Sequence, residues 1–409
     1  MVKLGYKQTE IGLIPQDWDV VPLLEKTSLL NGLTYSPNNV KDFGLLVMRS
    51  SNVHGSKFSF EDNVYVDCEV AEDSLIKKGD ILICVRNGSS ALIGKCAKAD
   101  RDYNATFGAF MAVLRGKNND FIFQLLLQGT IQKHISKNSD STINQITNSD
   151  FKQIVIPFPP EESERCRITL ALSDIDALIS NLEKLISKKK AIKQGAMQEL
   201  LTGKQRLPGF DGEWEDLEIG KNGYLLRESV DPQSFTLTLF SEYSMPAYDD
   251  GKIPVKVYGA DMHSNRTVIY GNVLLFNKLN VRQKRIWLVN ATEQNSVCSS
   301  EFLAYCSDKI DLRLLAQLLL SEKITRDFIG MSTGTSNSQK RITPKNFMEY
   351  VIHIPLDIQE QTAIADILSD MDNEIEKLKS DLTKFQMIKQ GMMSELLTGR
   401  IRLIDKEGV

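Results

Sequence analysis

Nearly the same sixteen residues stand twice in this chain. "IKQGAMQELLTGKQRL" occupies positions 192–207, and "IKQGMMSELLTGRIRL" occupies positions 388–403, 196 residues further on. Sliding the chain against itself at that offset extends the match upstream without a gap, laying 143–176 on 339–372. Ile146, Thr147, Phe151, Val155, Ile156, Pro159, Glu164, Ile168, Leu172, Ser173, Asp174 and Asp176 each meet an identical residue. The same shift lays Trp18 on Trp214. Between these anchors the register moves by a few residues while the pattern persists: "GDILICVR" (79–86) is similar to "GNVLLFNK" (271–278), and "FMAVL" (110–114) to "FLAYC" (302–306). A tandem duplication of this extent predicts two copies of one folding unit. The 409 residues, 42% of them hydrophobic, suffice for two cores at about 100 to 200 residues per domain.

The two copies diverge unevenly. Segments 143–207 and 339–403 stayed alike, whereas 20–140 and 216–335 differ almost everywhere outside their apolar framework. One part does the same job twice, and the other does two different jobs. The boundaries this implies are a first variable domain at 1–158, a helical segment at 159–204, a second variable domain at 205–354 and a second helical segment at 355–409.

The similar part reads as helix. After the strand ends at "VIPFPP" and "VIHIP", Ile168, Leu172, Ile175, Ile179, Leu182 and Ile186 recur at spacings of four and three, as do Ile364, Leu368, Met371, Ile375, Leu378, Leu382 and Phe385. That is a heptad seam. Acidic residues at each start (Glu161, Glu162, Glu164; Asp357, Glu360) and Lys188, Lys189 and Lys190 near the end of the first suit the helix dipole, and "LLTG" closes each segment with a C-capping glycine. Short heptad stretches alone are marginal in water, so two matching seams on one chain are expected to pair with each other. A helix over 161–190 measures roughly 45 Å at ~1.5 Å per residue. Paired antiparallel, two such helices relate the halves by a pseudo-twofold axis and form a rigid spacer, close to the 34–36 Å that separates readers by about one turn of B-DNA.

The variable halves alternate β-rich runs ("DILICV", "AFMAVLRG"; "NVLLFNKL", "KRIWLV", "EFLAYC") with turns, then each ends in one helical run ("FIFQLLLQGTIQKHI"; "LRLLAQLLLSEKITRDFI"). The fold class is α+β: a β-rich domain followed by a long helix, duplicated, with the helices paired as an antiparallel coiled coil.

Several chemistries are excluded. "GSSALIGKC" (88–96) fails as a phosphate loop, because five residues separate Gly88 from Gly94 and Cys96 stands where a magnesium-binding Ser or Thr belongs. An amino-methyltransferase motif, a glycine-rich cofactor loop, a catalytic triad and a paired-carboxylate constellation are all missing. Six cysteines without a CxxC pair and four dispersed histidines indicate reduced thiols in a cytoplasmic protein and no zinc site. The start of the chain shows no apolar core after its lysines, and no apolar run approaches the ~20 residues of a membrane span. Neither catalysis, a metal nor a membrane is expected.

What remains are polar loops able to contact DNA. In the first half these offer Arg86, Asn87, Ser89 and Ser90; in the second, Asn277, Lys278, Asn280, Arg282, Gln283, Lys284 and Arg285. Arg or Lys can bind guanine bidentately and Asn or Gln adenine. The small-polar loops "SDSTINQIT" and "TSNSQKRIT" are equivalent, with Lys340 and Arg341 basic only in the second copy, where they could touch phosphates. The competing reading is that such loops are only solvated. Net charge is −4, with 16 basic against 17 acidic side chains over 1–150 and 17 against 18 over 205–350. Phosphate neutralisation supplies most non-specific affinity, so a second, basic subunit is expected to clamp the duplex.

The order variable half, similar helix, variable half, similar helix resembles the specificity (S) subunit of type I restriction-modification systems. The residues that carry the resemblance are "GYKQTEIGLIPQDW", "IPFPPEESERCRI" and "IPLDIQEQTAI" leading into the helices, and the two "IKQG…ELLTG" segments. It covers essentially the whole chain. The resemblance implies a non-catalytic subunit whose two target recognition domains each read one half of a bipartite double-stranded DNA target, with the helices setting the spacing. It implies two modification subunits docked on the helical regions, where Lys193, Gln194 and Glu199 and their equivalents Lys389, Gln390 and Glu395 are candidates. S-adenosylmethionine belongs to those subunits, ATP and magnesium to restriction and translocase subunits, and no cofactor to this chain. Lys189 opposes Phe385, and "PLDIQEQ" replaces the double proline of the first copy, so the two docking surfaces need not be equivalent. A coiled-coil protein-recognition scaffold without sequence-specific DNA binding is the alternative, and a self-sufficient methyltransferase a third.

Overall fold

In the computed structural model, residues 4–129, 145–334 and 339–404 are described. The chain divides into two compact units, the first Met1–Leu182 with Asp381–Val409, the second Glu183–Ser380. Each long helix, Glu162–Leu200 and Ile358–Leu396, therefore contributes residues to both units.

The first unit holds a four-stranded sheet in the order Cys96–Lys98, Ile81–Cys84, Met111–Arg115, Ser28–Asn31, all antiparallel. A second sheet pairs Ala105–Phe107 in parallel with Leu45–Met48. The central strand Ile81–Cys84 is buried along its whole length: Ile81 and Ile83 face one core, which also takes Trp18, the helix Asn119–Leu126, Ile168, Leu172 and, from the last helix, Met393, Leu396 and Leu397. Leu82 and Cys84 face the other, with Met48, Phe107 and Val113. This is the period-2 alternation of a strand sandwiched between two apolar layers.

The second unit repeats the plan. Its four-stranded sheet runs Tyr224–Leu225, Phe302–Cys306, Gly271–Asn277, Ile286–Ala291, and a five-stranded sheet again contains one parallel pair, Leu239–Tyr243 with Ser296–Ser299. Leu274 and Phe276 face the core shared with Leu200, Leu201, Ile364 and Leu368; Val273 and Leu275 face the other side.

Within each unit the helices run antiparallel. In the second, the Lys193 ammonium reaches the Asp372 carboxylate at 2.6 Å, and Lys189 reaches Glu374 at 2.6 Å, rising numbers on one helix meeting falling numbers on the other. In the first, Lys389 meets Asp176 at 2.6 Å, while Ile168 and Leu172 share a core with Met393 and Leu397. Shifted by 196, Lys193–Asp372 becomes Lys389–Asp176. The expected fold class is thus the observed one.

Two expectations are corrected. The first helix ends at Leu200 rather than near 190 and has 39 residues, as does the second. Gly195 and Gly391 sit inside these helices, where a Cβ on either would meet nothing within 4 Å. A single interior glycine costs only about 1 kcal/mol against alanine, too little to end a helix packed along its length. The run 312–331 is two helices, Leu312–Leu319 and Glu322–Met331, divided where the Ser321 hydroxyl accepts the Ile324 N–H at 3.4 Å as an N-cap. The second part of the run 121–135 lies outside the described residues. Among those described, no helix is long and apolar enough to cross a membrane.

Candidate nucleic-acid interface

In each unit the structure brings the polar loop of the variable domain against the start of the repeated segment. In the first unit Arg86 bridges Gln145; in the second Leu279 bridges Arg341. Gln145 and Arg341 are themselves 196 positions apart, so the two sites are equivalent by the repeat. The loop 139–147 lies mostly outside the described residues, as do 335–338 of its counterpart.

In the first unit Arg86, Ser89 and Ser90 are exposed and Asn87 is half-buried. Asn87 shapes the loop from within: its amide donates to the Ser50 hydroxyl at 3.1 Å, and its carbonyl oxygen accepts the Ser89 N–H at 3.0 Å. The Arg86 guanidinium lies over the Phe110 ring, 5.5 Å from its centroid. Phe110, not singled out from sequence, is an exposed aromatic at a turn, and its only signal there was its place at the head of "FMAVL".

The second unit presents a tight turn. Gln283 N–H donates to Asn280 O at 3.0 Å and Lys284 N–H to Val281 O at 3.1 Å, between two non-glycine residues in the left-handed region, Asn280 (φ 52) and Lys284 (φ 49). Asn tolerates that conformation; a lysine there costs roughly 1–2 kcal/mol. The Lys284 ammonium offsets this strain by bonding Leu320 O at 3.1 Å and the Glu322 carboxylate at 2.5 Å, which holds the Glu322 carboxyl below its usual range. Arg285 grips Asp249 through two bonds of 2.8 and 2.6 Å, lowering the Asp249 pKa. These anchors leave Arg282 and Gln283 exposed at the tip.

The remaining candidates divide. Asn277 is 3% exposed, its amide directed at Glu301 O and its side-chain oxygen buried without a partner, so it offers no edge to an outside ligand. Lys278 and Asn280 are half-buried, their main chains tied to the repeat by Asn280 N–H to Lys340 O at 2.8 Å and Ile342 N–H to Lys278 O at 3.0 Å. Lys340 is half-buried, and the exposed Arg341 pairs with Glu301 at 3.1 and 3.2 Å.

The repeated helix ends have an internal role. Lys193 and Lys389 are spent on Asp372 and Asp176. Gln194, Glu199 and Gln390 are exposed, and Glu395 is half-buried beside Arg400. After each "LLTG" turn the chain folds back and delivers an arginine to a buried glutamate. In the first unit Arg402 donates to Glu164 at 2.6 and 2.9 Å and to Asp17 at 2.8 Å twice, and the Trp18 indole N–H reaches Glu164 at 3.1 Å. In the second, Arg206 donates to Glu360 at 2.7 Å twice and the Trp214 indole to Glu360 at 3.4 Å. From sequence, Glu164 and Glu360 register only as dipole partners. The signal for this latch is nonetheless present: Glu, Trp, Gly and Arg all recur at the 196-residue offset.

Comparison with known proteins agrees with this architecture. A family model described as type I restriction modification DNA specificity domain matches residues 15–194 and 248–383. The type I restriction enzyme EcoKI specificity subunit of Escherichia coli K12 is 28% identical over 205 residues, which span 47% of this chain and 44% of that protein. The putative type I restriction enzyme MjaX specificity subunit of Methanocaldococcus jannaschii is 27% identical over 437 residues, spanning 98% and 97%. In fold, the chain is similar to the S subunit of a type I restriction-modification system from M. genitalium, with TM-score 0.63 at 16% identity over 93% of this chain and 96% of that one. A chain from a solved type I R-M system gives 0.56 at 16% identity, covering 95% and 99%. With the family model matching well over half of its length in two separate stretches, one in each copy of the duplication, this chain belongs to the type I restriction-modification DNA specificity family.

Proposed function

We propose that this chain is the non-catalytic specificity subunit of a type I restriction-modification complex, each variable domain reading one half of a bipartite duplex target. The observation that carries this reading is the equivalent placement of two chemically different loops: Arg86 against Gln145, and Leu279 against Arg341. One scaffold position, used twice with different side chains, is what reading two unlike half-sites requires. Arg282 and Gln283 are the best-presented candidates for base edges in the second unit, with Arg86 in the first. The helices set the half-site spacing and dock two modification subunits, for which Gln194, Glu199 and Gln390 remain the exposed candidates. In this reading S-adenosylmethionine is bound by the modification subunits and ATP with magnesium by restriction and translocase subunits, none by this chain, and the complex works in the cytoplasm. The near-neutral charge of each half fits a reader that depends on its partners for phosphate contacts.

The test is methylation sequencing of DNA from cells expressing the chain with its modification subunit, repeated after exchanging residues 20–140 for those of another family member. A split adenine-methylated motif of which only one half changes is expected. With assembly confirmed, no motif in either case refutes the reading.

A further inference from the structure

Phe110 is an exposed aromatic side chain of the first unit on a turn whose backbone is fixed. The turn that carries it is closed by Met111 N–H to Gly108 O at 2.8 Å and tied inward by Gly108 N–H to Met48 O at 3.0 Å. Gly32 packs so tightly beneath that a Cβ there would lie 2.0 Å from Gly108 O. The Phe110 carbonyl accepts both the Val85 and Arg86 amides, at 3.0 and 3.1 Å. The backbone is thus fixed, yet the residue is 57% exposed, with the Arg86 guanidinium over its ring. Single exposed apolar residues are ordinary. An exposed ring on a rigid turn, whose backbone carbonyl already accepts the amide of a candidate base-reading arginine, is a preorganised contact surface. In the second unit the carbonyl that accepts the Lys278 amide belongs to Glu301, whose carboxylate holds Arg341. That corner is ionic in one unit and aromatic in the other.

We propose that Phe110 is a specificity-determining residue of the first unit, its ring covering the C5 methyl group of a thymine while Arg86 addresses a neighbouring base pair. The inference rests on the function proposed above. Its chemical basis is that the thymine methyl is the apolar feature of the major groove, and an apolar side chain is what recognises it. The cation over the ring suits the same place: a guanidinium steadied by an aromatic face can turn its donor edge to guanine O6 and N7.

The experiment uses the assembled complex with modification subunits. Once methylation sequencing gives the motif, each thymine in either strand is replaced in turn by deoxyuridine, which removes only the methyl group, and duplex binding is measured. At one position in one half-site, wild type is expected to lose about fourfold in affinity, the effect of one buried methyl group. Phe110→Ala is expected to bind the thymine and uracil duplexes alike, and Phe110→Leu to keep part of the preference. Sensitivity that persists in Phe110→Ala, or a wild type indifferent to every substitution, overturns the inference while leaving the specificity function intact. Absence of any motif from the wild-type complex overturns both.

Discussion

Arg402→Ala tests the latch that closes the first unit. The Glu164 side chain is 0% exposed, and three hydrogen bonds compensate its burial, two of them from Arg402. Without the guanidinium, a carboxylate remains in the interior with one indole N–H as donor. Removing one partner of a buried ion pair costs about 3–5 kcal/mol because the other charge stays uncompensated. The Arg402 side chain is itself 21% exposed, so water can reach the vacated space and the lower end applies, about 3 kcal/mol. For a unit of about 150–250 residues each kcal/mol moves the melting temperature by about 2–4 °C, giving a drop of about 6–12 °C. Differential scanning calorimetry of wild type, Arg402→Ala, Glu164→Gln and the double variant separates the causes. If the uncompensated charge dominates, adding Glu164→Gln to Arg402→Ala restores roughly half of the loss, since a neutral amide is far cheaper to bury. A drop below about 3 °C in Arg402→Ala, or no recovery in the double variant, would refute the reasoning.

Three further outcomes are expected. Gly399 and Gly203 both lie in the left-handed region (φ 68 and 69), but a Cβ at Gly399 would come 2.5 Å from Pro15 Cγ while one at Gly203 meets the Trp214 ring at 3.2 Å or more; Gly399→Ala should therefore destabilise by more than the ~1–2 kcal/mol of conformational strain alone, and Gly203→Ala by about that amount, read from urea unfolding midpoints. Arg402 holds the Asp17 carboxyl below the usual 3.8; a lowered folded-state pKa contributes stability that is present above the unfolded value and lost as the pH falls through the folded one. The stability difference between wild type and Asp17→Asn should accordingly shrink as the pH falls below about 4 in melts taken from pH 7 downward. Arg282→Ala should relax the motif at one position of a single half-site by roughly 1–3 kcal/mol if the side chain reads a base, whereas uniform weakening on all sequences, measured by competition binding, would assign it to phosphate.

The duplication, the antiparallel helix pair and the alternation of the central strands were legible because each depends on periodicity, which the sequence carries locally. The length of the first helix was not: its seam reads as ending near 190, whereas the packing of Met197, Leu200 and Leu201 into the second core carries it through Gly195 to Leu200, just before the "LLTG" glycine. The break at Ser321 fell inside what reads as one helical run, although a serine followed by Glu322 is the kind of residue that caps a new helix. Of the candidate contacts, Arg86, Arg282 and Gln283 are presented outward, while Asn277, Lys284 and Arg285 stand in the same short stretches and are turned to structural use. Residue type cannot separate these groups. What separates them is the left-handed turn at 280 and 284 and the positions of Glu322 and Asp249, which are 38 and 36 residues away in sequence.

The latch also accounts for the unequal divergence of the two copies. Glu164 of the first copy is held by Arg402 of the second, and Glu360 of the second by Arg206 of the first; Asp176 and Lys389 pair in the same way, as do Asp372 and Lys193. Each copy is thus the binding partner of the other, and a change of charge, side-chain length or glycine conformation on one side leaves a group on the other without its complement, a buried one at Glu164 and Glu360. Breaking the pair at the buried Glu164 or Glu360 costs about 3 kcal/mol, a large fraction of the 5–15 kcal/mol by which domains are stable, while the more exposed Asp176 and Asp372 pairs add less; these segments cannot drift independently. At the tip of the 280–284 turn and in the Arg86 loop, Arg282, Gln283, Ser89 and Ser90 are exposed and enter none of these charge pairs among the described residues. A reader whose frame is locked by self-complementarity while its tips stay free can acquire new sequence preferences in one half without disturbing the other.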